Sequence, residues 1–494
     1  MKRTSKILSA VLALVMLASL VLASCGGDDG TTASGGTTPN TTAGRTILET
    51  KTPEGTNYDG EKVKFLSRSD VDYYDEITVK ADEIANVIDQ SIFDRETSVE
   101  EKIGIELENE QVAQGTNYAK ITDMIREHFR AGINEYQLIA NGCYHTMDAS
   151  LEECFWTLSD IDSIDLTMPW YSQYFVEEAT LPSGELYFVA GDATISRIRW
   201  CYATFFNQAL ASTYGLEDLY KVVEEGRWTI DYQYEIVANV YSDENGNSVS
   251  DEGDLFGFSA HYVVGIDPYW SGFQLPIVQK VDGQFVDALD GDRMVDALAK
   301  IIDLFYNTNG SFIYQPGSGD PNNEVMSREF ASDHYLFMTH WLLAVETEYL
   351  TDMENAYGII PIPKLNEDQD DYYSYTHDLM SVVGIPGTAP EEDLDMLGVV
   401  IEELSAYSYN YTREAYYELA LKGRYMRDQQ SREMLDLIVD NLRIDAGWIY
   451  SKTLNGIALT IRTMVRNKNT GWATVYRSQR KILENGIAKL NGTK

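Results

Sequence analysis

Short apolar strands and longer periodic segments alternate through the first part of the sequence. Residues 62–66 alternate in the manner of a β-strand, 81–101 have the pattern of a helix, and 104–107 form a second apolar strand. Apolar side chains recur at helical spacing over 121–129, and 136–140 is another short strand. Strands that alternate with helices are typical of βαβ units, so the sequence predicts an α/β fold with a mostly parallel sheet.

The length of the chain and its C-terminal pattern extend this prediction. With 494 residues the chain is too long for one small core, and two lobes are expected. From Pro390 to Lys494 apolar residues recur at helical spacing in runs such as 396–404, 411–421 and 434–442. The C-terminal third is therefore predicted to be mostly helical.

The N-terminus has the pattern of a bacterial lipoprotein signal. A basic start is followed by an apolar run over 7–21 and by Leu22-Ala23-Ser24-Cys25, which has the form of a lipobox. In this interpretation residues 1–24 are a cleaved signal peptide and Cys25 becomes the lipidated N-terminus. The protein is then anchored by lipid to the extracellular face of the cell membrane. A plain secretory signal with a chance cysteine, or an uncleaved helix, is the alternative.

The segment after Cys25 is typical of a flexible linker. Residues 26–44 contain no large apolar side chain and are rich in Gly, Thr and Ser. We assign 25–58 to the lipidated cysteine and its tether, and we expect the globular body to begin near Asp59.

The charge balance excludes several classes of partner. The chain has 38 Lys and Arg against 78 Asp and Glu, a formal net charge of −40. Such a charge repels nucleic acid and anionic lipid and disfavours polyanionic substrates. Because 44% of the residues are hydrophobic and 12% are aromatic, the acidity does not indicate disorder.

Three cysteines remain beside the lipobox cysteine. Cys143, Cys154 and Cys201 lie among apolar or aromatic neighbours and form no CxxC pair. We predict that they are buried, reduced thiols. A disulfide between Cys143 and Cys154 is the alternative.

Ordered motifs along the chain carry a family resemblance. The most specific stretch is Phe205-Phe206-Asn207-Gln208, followed by Tyr214-Gly215-Leu216 and Gly226-Arg227-Trp228-Thr229-Ile230-Asp231. Further matches are Tyr357-Gly358-Ile359-Ile360-Pro361-Ile362-Pro363-Lys364 and the segments 158–171, 184–192, 371–373, 382–386, 427–431 and 445–447. By their order and spacing, over roughly residues 59–460, the sequence resembles the maltose-binding-like (family 1) extracellular solute-binding proteins of carbohydrate ABC transporters.

The resemblance implies a two-lobed, periplasmic-binding-protein-like fold of type II, with a hinge of crossing segments and a helical C-terminal third. Segments 188–206 and 360–385 would connect the lobes, and a small-molecule ligand is expected in the cleft between them. The implied boundaries are lobe 1 at 59–190, lobe 2 at 191–362, a return mainly to lobe 1 at 363–430, and C-terminal helices that complete lobe 2 at 431–494.

Tryptophans are the candidates for stacking on a sugar, because a sugar ring presents flat C–H faces while its hydroxyls stay free for hydrogen bonds. The alternative for each is core packing. We expect core packing for Trp170, and for Trp228 at a helix start capped by Thr229 or Asp231. The ligand-binding candidates are Trp200, Trp270, Trp341 and Trp448.

Polar candidates lie at both presumed connections. Asp192 and Arg197 flank the first, and Tyr375, His377 and Asp378 lie at the second. A carboxylate accepts hydrogen bonds from paired hydroxyls, and an arginine donates in a fixed fork. We therefore add Asp192, Arg197, Tyr375 and Asp378 to the ligand-binding candidates. The alternatives are an ion pair between the lobes or a turn carboxylate, and His377 can equally cap a helix or lie exposed.

An acidic stretch has ligand spacing similar to that of an EF-hand calcium loop. Two departures weaken the match, because Ser248 stands at the glycine position and an Asp replaces the final Glu. The stretch is either an acidic surface turn or a weak Ca²⁺ site with a structural role. The predicted oxygen donors are Asp243, Asn245, Asn247, Asp251 and Asp254, with the carbonyl of Val249.

The sequence has no GxxxxGK[ST], HExxH or GxSxG motif, and its six histidines have no metal-ligand spacing. The family resemblance implies a binding protein without catalytic residues or a required cofactor. The expected partners are a sugar or oligosaccharide, the transmembrane permease subunits of an ABC importer, and the membrane through the lipid anchor. The protein is expected to be a monomer that does not bind nucleic acid. A secreted carbohydrate-active enzyme, since carboxylates are abundant, and a sensory or adhesive surface lipoprotein are the alternatives.

Overall fold

A computed structural model describes residues 46–69, 76–115, 117–289, 291–316 and 323–493. Cys25 and the tether over 26–44 lie outside the described residues. The described residues all belong to one compact unit that spans 43–494. Within the described part of the chain, no helix is both long enough and apolar enough to cross a membrane.

The strands follow one another along the chain with helices between most of them. In chain order they are β1 (Glu61–Arg68), β2 (Ile105–Val112), β3 (Leu138–Gly142), β4 (Tyr202–Asn207), β5 (Tyr241–Ser242), β6 (Leu255–His261), β7 (Val278–Val281), β8 (Gln284–Asp287), β9 (Ser311–Tyr314), β10 (Tyr335–Trp341), β11 (Tyr357–Ile360) and β12 (Ser381–Gly384).

The helices of the first half are α1 (Val87–Ile103), α2 (Lys120–Ala131), α3 (Cys143–Thr146), α4 (Gln173–Ala179), α5 (Ser196–Arg199), α6 (Gln208–Thr213), α7 (Leu219–Glu224) and α8 (Ile230–Val237). Those of the second half are α9 (Pro268–Gly272), α10 (Gly291–Tyr306), α11 (Glu324–Ala331), α12 (Glu348–Thr351), α13 (Leu394–Tyr407), α14 (Gln429–Asp440), α15 (Ala446–Ile449), α16 (Thr460–Arg466) and α17 (Trp472–Leu490). Short 3₁₀ turns lie between several of them, and α13 continues into π-helical turns over Ser408–Thr412 and Glu414–Tyr425.

The first sheet has four strands in the order β12-β3-β1-β2. β1 pairs in parallel with both β2 and β3, so Phe65 lies opposite Asn109 on one side and Leu138 on the other. β12 returns from far along the chain and joins antiparallel to β3. The mostly parallel sheet and the three strands predicted between residues 62 and 140 are confirmed.

The second sheet has six strands and is mixed. Its order is β11-β4-β10-β6-β5, and β9 also pairs with β6. β4 is antiparallel to β10 and β11, whereas β6 is parallel to β10 and β9. Every residue of β4 and of β10 is buried, so both faces of the centre of this sheet are covered. β7 and β8 form a separate hairpin.

The two sheets are joined by the segments that the sequence predicted as connections. Strands of the first sheet come from 61–142 and 381–384, and strands of the second from 202–360, so the chain passes over between them twice. The two passages pair with each other: Tyr202 N donates to Tyr375 O at 2.9 Å and His377 N to Trp200 O at 3.0 Å. The two connections therefore run side by side. The exact lobe boundaries stay predictions.

Local chemistry explains where α1 begins and ends. The helix was predicted from residue 81 but begins at Val87, because the side chain of Asn86 accepts hydrogen bonds from Ile88 N and Asp89 N and caps it. It ends at Gly104, whose φ of 66° lies in the left-handed region. A Cβ at this position would lie 1.9 Å from the Oδ1 atom of Asn57, so only glycine fits.

The last part of the predicted tether is bonded to the folded body. Leu48 N donates to Asn410 Oδ1 at 3.1 Å, and Asn410 Nδ2 donates back to Leu48 O at 2.8 Å. Thr50 also donates to the buried Glu403. Residues 46–58 are polar enough to resemble a linker, but these side-chain contacts from the C-terminal helices hold them.

The structure confirms several predictions about the core. The thiols of Cys143, Cys154 and Cys201 are buried and form no disulfide among the described residues. Trp170 and Trp228 are both completely buried. Trp228 Nε1 donates to Pro361 O at 2.9 Å, and Thr229 is the N-cap of α8, accepting from Tyr232 N at 3.2 Å.

Candidate functional site

Three rings meet where the connections leave the second sheet. Trp200 and Trp341 pack edge to face with centroids 4.7 Å apart. The ring of His377 lies 5.5 Å from that of Trp341 and 5.9 Å from that of Trp200. Each of these residues comes from a different segment: the end of α5, the end of β10, and the return connection.

Three further aromatic side chains extend this group. Tyr202 stacks on Tyr375 with centroids 6.0 Å apart, and Tyr375 lies 5.1 Å from Trp448 of α15. Tyr202 is opposite Trp341 in the β4–β10 pairing, so strand register places the two together, 5.9 Å apart. We refer to Trp200, Tyr202, Trp341, Tyr375, His377 and Trp448 as the aromatic cluster.

A buried ion pair borders the aromatic cluster. Arg462 of α16 binds Asp267 through two hydrogen bonds of 2.6 and 2.5 Å, and Asp267 is completely buried. The guanidinium carbon of Arg462 lies 5.7 Å from the centre of the Trp448 ring. Burial opposes the charge of Arg462, but the Asp267 carboxylate outweighs it and raises the pKa of the guanidinium. Arg462 is therefore a permanent cation at the edge of the cluster.

Asp378 is the second buried carboxyl group beside the cluster. Its Oδ1 atom lies 3.0 Å from His377 Nδ1. Burial acts against its ionised form, but His377 and Arg462 together lower the pKa of Asp378. His145 of α3 lies in the same region, and burial lowers its pKa to about 4. The site thus offers an ionised acceptor, Asp378, beside a neutral imidazole, that of His145.

Among the described residues, the buried polar atoms of the cluster without a hydrogen-bond partner include the hydroxyl of Tyr375 and the indole Nε1 of Trp448. Buried polar groups in native proteins are almost always paired, so these atoms are candidates for hydrogen bonds to a ligand.

A pocket of about 440 Å³ lies next to the cluster. Its wall includes Tyr174 of α4, Trp270 of α9, Tyr373 of the return connection, and Arg443, Asp445 and Trp448 from the region around α15. Trp448 therefore belongs both to the pocket and to the aromatic cluster. We refer to this cavity as the Tyr174 pocket.

The predicted ligand-binding residues fall into three groups. Trp200, Trp341, Tyr375 and Trp448 meet in the aromatic cluster, with Asp378 beside it. Trp270 lies in the wall of the Tyr174 pocket, and its Nε1 donates to Ala458 O at 3.0 Å. Asp192 and Arg197 pair with each other at 3.4 Å, and Arg413 approaches the other oxygen of Asp192 at 3.8 Å. Asp192 and Arg197 therefore form an ion pair within one segment, and their part in ligand binding stays a prediction.

Several residues of the site were not singled out from the sequence as ligand contacts. Tyr202 and Asp267 lie in ordinary apolar and turn contexts, and Arg462 lies in an amphipathic helix among other basic residues. Tyr174 and Arg443 likewise belong to no motif that marks ligand contacts. No local pattern marks them, because their roles arise from the packing of distant segments.

The predicted calcium loop forms an internal hydrogen-bond network. Asp243 accepts from Gly246 N and Ser248 N at 2.7 and 2.8 Å, and Ser248 has a φ of 63°, the conformation that glycine adopts at this position of an EF-hand. Asn245 and Asn247 both donate to Asp251. Asp254 is fully buried and accepts from Glu244 N and Asp251 N. In the part of the chain that the structure describes, no three His, Cys, Asp or Glu side chains are grouped for a metal. The Ca²⁺ expectation stays a prediction.

Comparison with known proteins gives similarity in structure only. No family model and no curated protein matches the sequence. The structure is similar to the ABC substrate-binding protein from Listeria monocytogenes in complex with cycloalternan, with 11% identity over 88% of this chain and 99% of that one and a TM-score of 0.52.

Two further solved structures give the same result. A solute-binding protein of an ABC transporter from Thermotoga lettingae, bound to α-D-tagatose, is 12% identical over 87% of this chain and all of that one, with a TM-score of 0.53. The GacH receptor of Streptomyces glaucescens, studied unliganded and with acarbose, is 15% identical over 88% of this chain and 97% of that one, with a TM-score of 0.52.

These likenesses define the fold class. The two mixed sheets with their paired connections are those of a periplasmic-binding-protein fold, as found in the sugar-binding proteins of ABC transporters. The predicted fold class is confirmed. The solved structures that it resembles are named as binding proteins and receptors.

Proposed function

We propose that this protein is the substrate-binding component of an ABC importer and that it binds a sugar or oligosaccharide at the aromatic cluster. The observation that carries the proposal is the convergence of Trp200, Trp341, Tyr375 and Trp448 where the two connections run together. Aromatic faces cover the C–H faces of a sugar ring, and the unpaired Tyr375 hydroxyl and Trp448 indole can bond its hydroxyls.

The charged groups beside the cluster complete this recognition. Asp378 is an acceptor for sugar hydroxyls, and Arg462, held in a fixed orientation by Asp267, is a donor. Arg462 is already paired with Asp267, so a neutral polyhydroxylated ligand adds hydrogen bonds without adding net charge. No covalent step is required for this function.

The connections give the fold a means of transmitting ligand binding. Two polypeptide segments that run side by side between sheets form a natural hinge, because small backbone rotations there move large bodies. A ligand that contacts both sides of the hinge stabilises the closed form by its differential affinity for that form. The closed, loaded form would then be delivered to the transmembrane permease subunits.

The proposal also covers the place of the protein in the cell. Cys25 would carry the lipid anchor, with residues 1–24 removed, so that the protein is held at the extracellular face of the cell membrane as a monomer. The chain is strongly negative, so its acidic surfaces would be attracted to basic loops of the permease and would steer docking. Replacement of surface acids by Gln with no loss of uptake would contradict this steering.

A thermal-shift screen of the purified protein against mono- and oligosaccharides tests the function. A ligand that binds only the native state stabilises it by RT ln(1 + [L]/Kd), about 2.7 kcal/mol at a hundredfold excess over Kd. We expect a clear shift with one family of glycans, with the glycan recovered intact. A degraded glycan would instead indicate a carbohydrate-active enzyme, and no shift with any saccharide would contradict sugar binding.

A further inference from the structure

We infer that the Tyr174 pocket is a second saccharide-binding site, for a neutral sugar unit, beside the one at the aromatic cluster. The inference rests on the proposed function, because it deepens the same recognition of sugars. The volume of the Tyr174 pocket, about 440 Å³, lies in the range of roughly 300–1,000 Å³ that is usual for small-molecule sites.

The pocket has aromatic faces that are held in place before any ligand arrives. The guanidinium carbon of Arg443 lies 3.4 Å from the ring centre of Tyr174 and 4.8 Å from that of Tyr373. Arg443 is itself fixed, since it donates to the carbonyl oxygens of Leu442 and Asp440 at 2.9 and 3.2 Å. Arg443 therefore holds both tyrosine rings in position, which reduces the conformational entropy lost when a ligand stacks on them.

Tyr174 is also accessible from solvent. It is 40% exposed, whereas Trp270 and Trp448 in the same wall are buried. A sugar ring entering the pocket would meet the exposed Tyr174 before the buried Trp270 and Trp448. Large aromatic side chains exposed at the mouth of a pocket are typical of recognition surfaces.

The polar groups of the wall fit the hydroxyls of a sugar. Glu178 uses one oxygen to accept from Ala446 N at 3.0 Å, and Glu177 is exposed in the same wall. Carboxylate acceptors beside an aromatic wall suit the hydroxyls of a sugar.

The charges of the wall favour a neutral ligand over a charged one. Glu177 and Glu178 disfavour an anion, and Arg443 disfavours a cation. Burial raises the pKa of Asp445 to about 8, so at neutral pH this carboxyl group is mainly protonated. Its two oxygens also accept from Ile277 N and Gly447 N, which fixes it in the wall.

The two sites share one side chain. Trp448 lies 5.1 Å from Tyr375 of the aromatic cluster and also lines the Tyr174 pocket. Ligands at the two sites would both contact elements around α15, so binding at one is expected to change affinity at the other by the same factor in both directions.

The test is isothermal titration of the purified protein with the saccharide that gives the largest thermal shift. Wild-type protein is expected to bind two equivalents. Tyr174→Ala and Glu177→Gln change exposed side chains and should leave folding intact, and each is expected to weaken one of the two equivalents by about tenfold or more. Tyr214→Ala is the matched control, because Tyr214 is 38% exposed and lies outside both sites. Tyr214→Ala should still bind two equivalents. Trp341→Phe should weaken only the equivalent that binds at the aromatic cluster.

The outcomes separate this inference from the proposed function. One equivalent that Tyr174→Ala leaves unchanged would overturn the second site and leave the proposed function standing. If Tyr174→Ala loses all binding while Trp341→Phe binds like the wild type, the Tyr174 pocket is the primary site. That result would also overturn the inference of a second site. If no saccharide in the panel binds the wild-type protein, the proposed function fails, and this inference fails with it.

Discussion

The rings of Trp200 and Trp341 lie edge to face, with centroids 4.7 Å apart and planes inclined by 70°. Trp200 lies just before β4, whereas Trp341 is the last residue of β10. The contact follows from the pairing of β4 and β10, in which Trp341 is the partner of Tyr202. Leu342 N then donates to Cys201 O at 2.8 Å and extends the pairing by one step. Strand register therefore builds the centre of the candidate site.

The first prediction concerns Trp341. Trp341→Phe puts a smaller ring at a buried position, so we expect saccharide affinity to fall by about tenfold, roughly 1.4 kcal/mol, and the free energy of unfolding to fall by about 1 kcal/mol. Calorimetric titration measures the affinity and thermal unfolding measures the stability. Unchanged affinity would place the ligand elsewhere. Tyr214→Ala serves as the exposed control.

The buried pair of Arg462 and Asp267 gives a second prediction. Arg462→Met leaves the carboxylate of Asp267 buried without a counterion, and we expect it to lower the free energy of unfolding by about 3–5 kcal/mol. Adding Asp267→Asn removes that charge and should restore most of the loss. Denaturant titration of the single and double variants checks this. A double variant as unstable as the single one would show that packing, not charge, is responsible.

Stability should fall as the pH rises through neutrality, because of Glu402. It accepts from the hydroxyl of Tyr171 at 2.6 Å, and burial raises its pKa from 4.5 to about 7. Between these values the folded state binds more protons than the unfolded state, so the stabilisation present below pH 4.5 is lost as the pH rises past 7. The linked change is about 3 kcal/mol.

The variant Glu402→Gln tests this directly. It keeps an acceptor for Tyr171 and removes the titration, so its free energy of unfolding should depend less on pH between 4.5 and 7. Glu235→Gln, at an exposed acid of α8, should follow the wild-type profile. Parallel profiles for wild type and Glu402→Gln would contradict the assignment.

Calcium is the subject of a fourth prediction. If the loop over 243–254 takes Ca²⁺, roughly millimolar Ca²⁺ should raise the unfolding temperature. Replacing Asp243 and Asp251 by Asn should abolish the rise. Mg²⁺ at the same concentration should have little effect, because it demands a smaller, octahedral site. An equal response in the double variant would assign any effect to non-specific screening.

The last prediction concerns the lipid anchor. Cys25→Ser removes the thiol that would be acylated, so we expect no incorporation of labelled palmitate and no processing at the lipobox. Ser24→Ala keeps a small residue before the cysteine and should be labelled like the wild type. Labelling of Cys25→Ser would refute the assignment of Cys25.

Part of this architecture could be predicted from local pattern. Strands β1 to β3 were found from their apolar character, and Trp228 from its place beside the capping residue Thr229. The boundary of α1 was missed by several residues, because Asn86 caps the helix later than its apolar pattern begins. Residues 46–58 were assigned to the tether, because their contacts with Asn410 and Glu403 come from far along the chain.

The sequence by itself determined the elements, the α/β class and the types of residue available for binding, because periodicity, caps and charge depend on neighbours in the chain. The tertiary structure alone decided that Trp200 packs on Trp341 and that Trp448 packs on Tyr375. It also placed Arg443 between Tyr174 and Tyr373. The physical reason is that strand register and the two connections set which distant side chains face each other, and no local pattern encodes that distance.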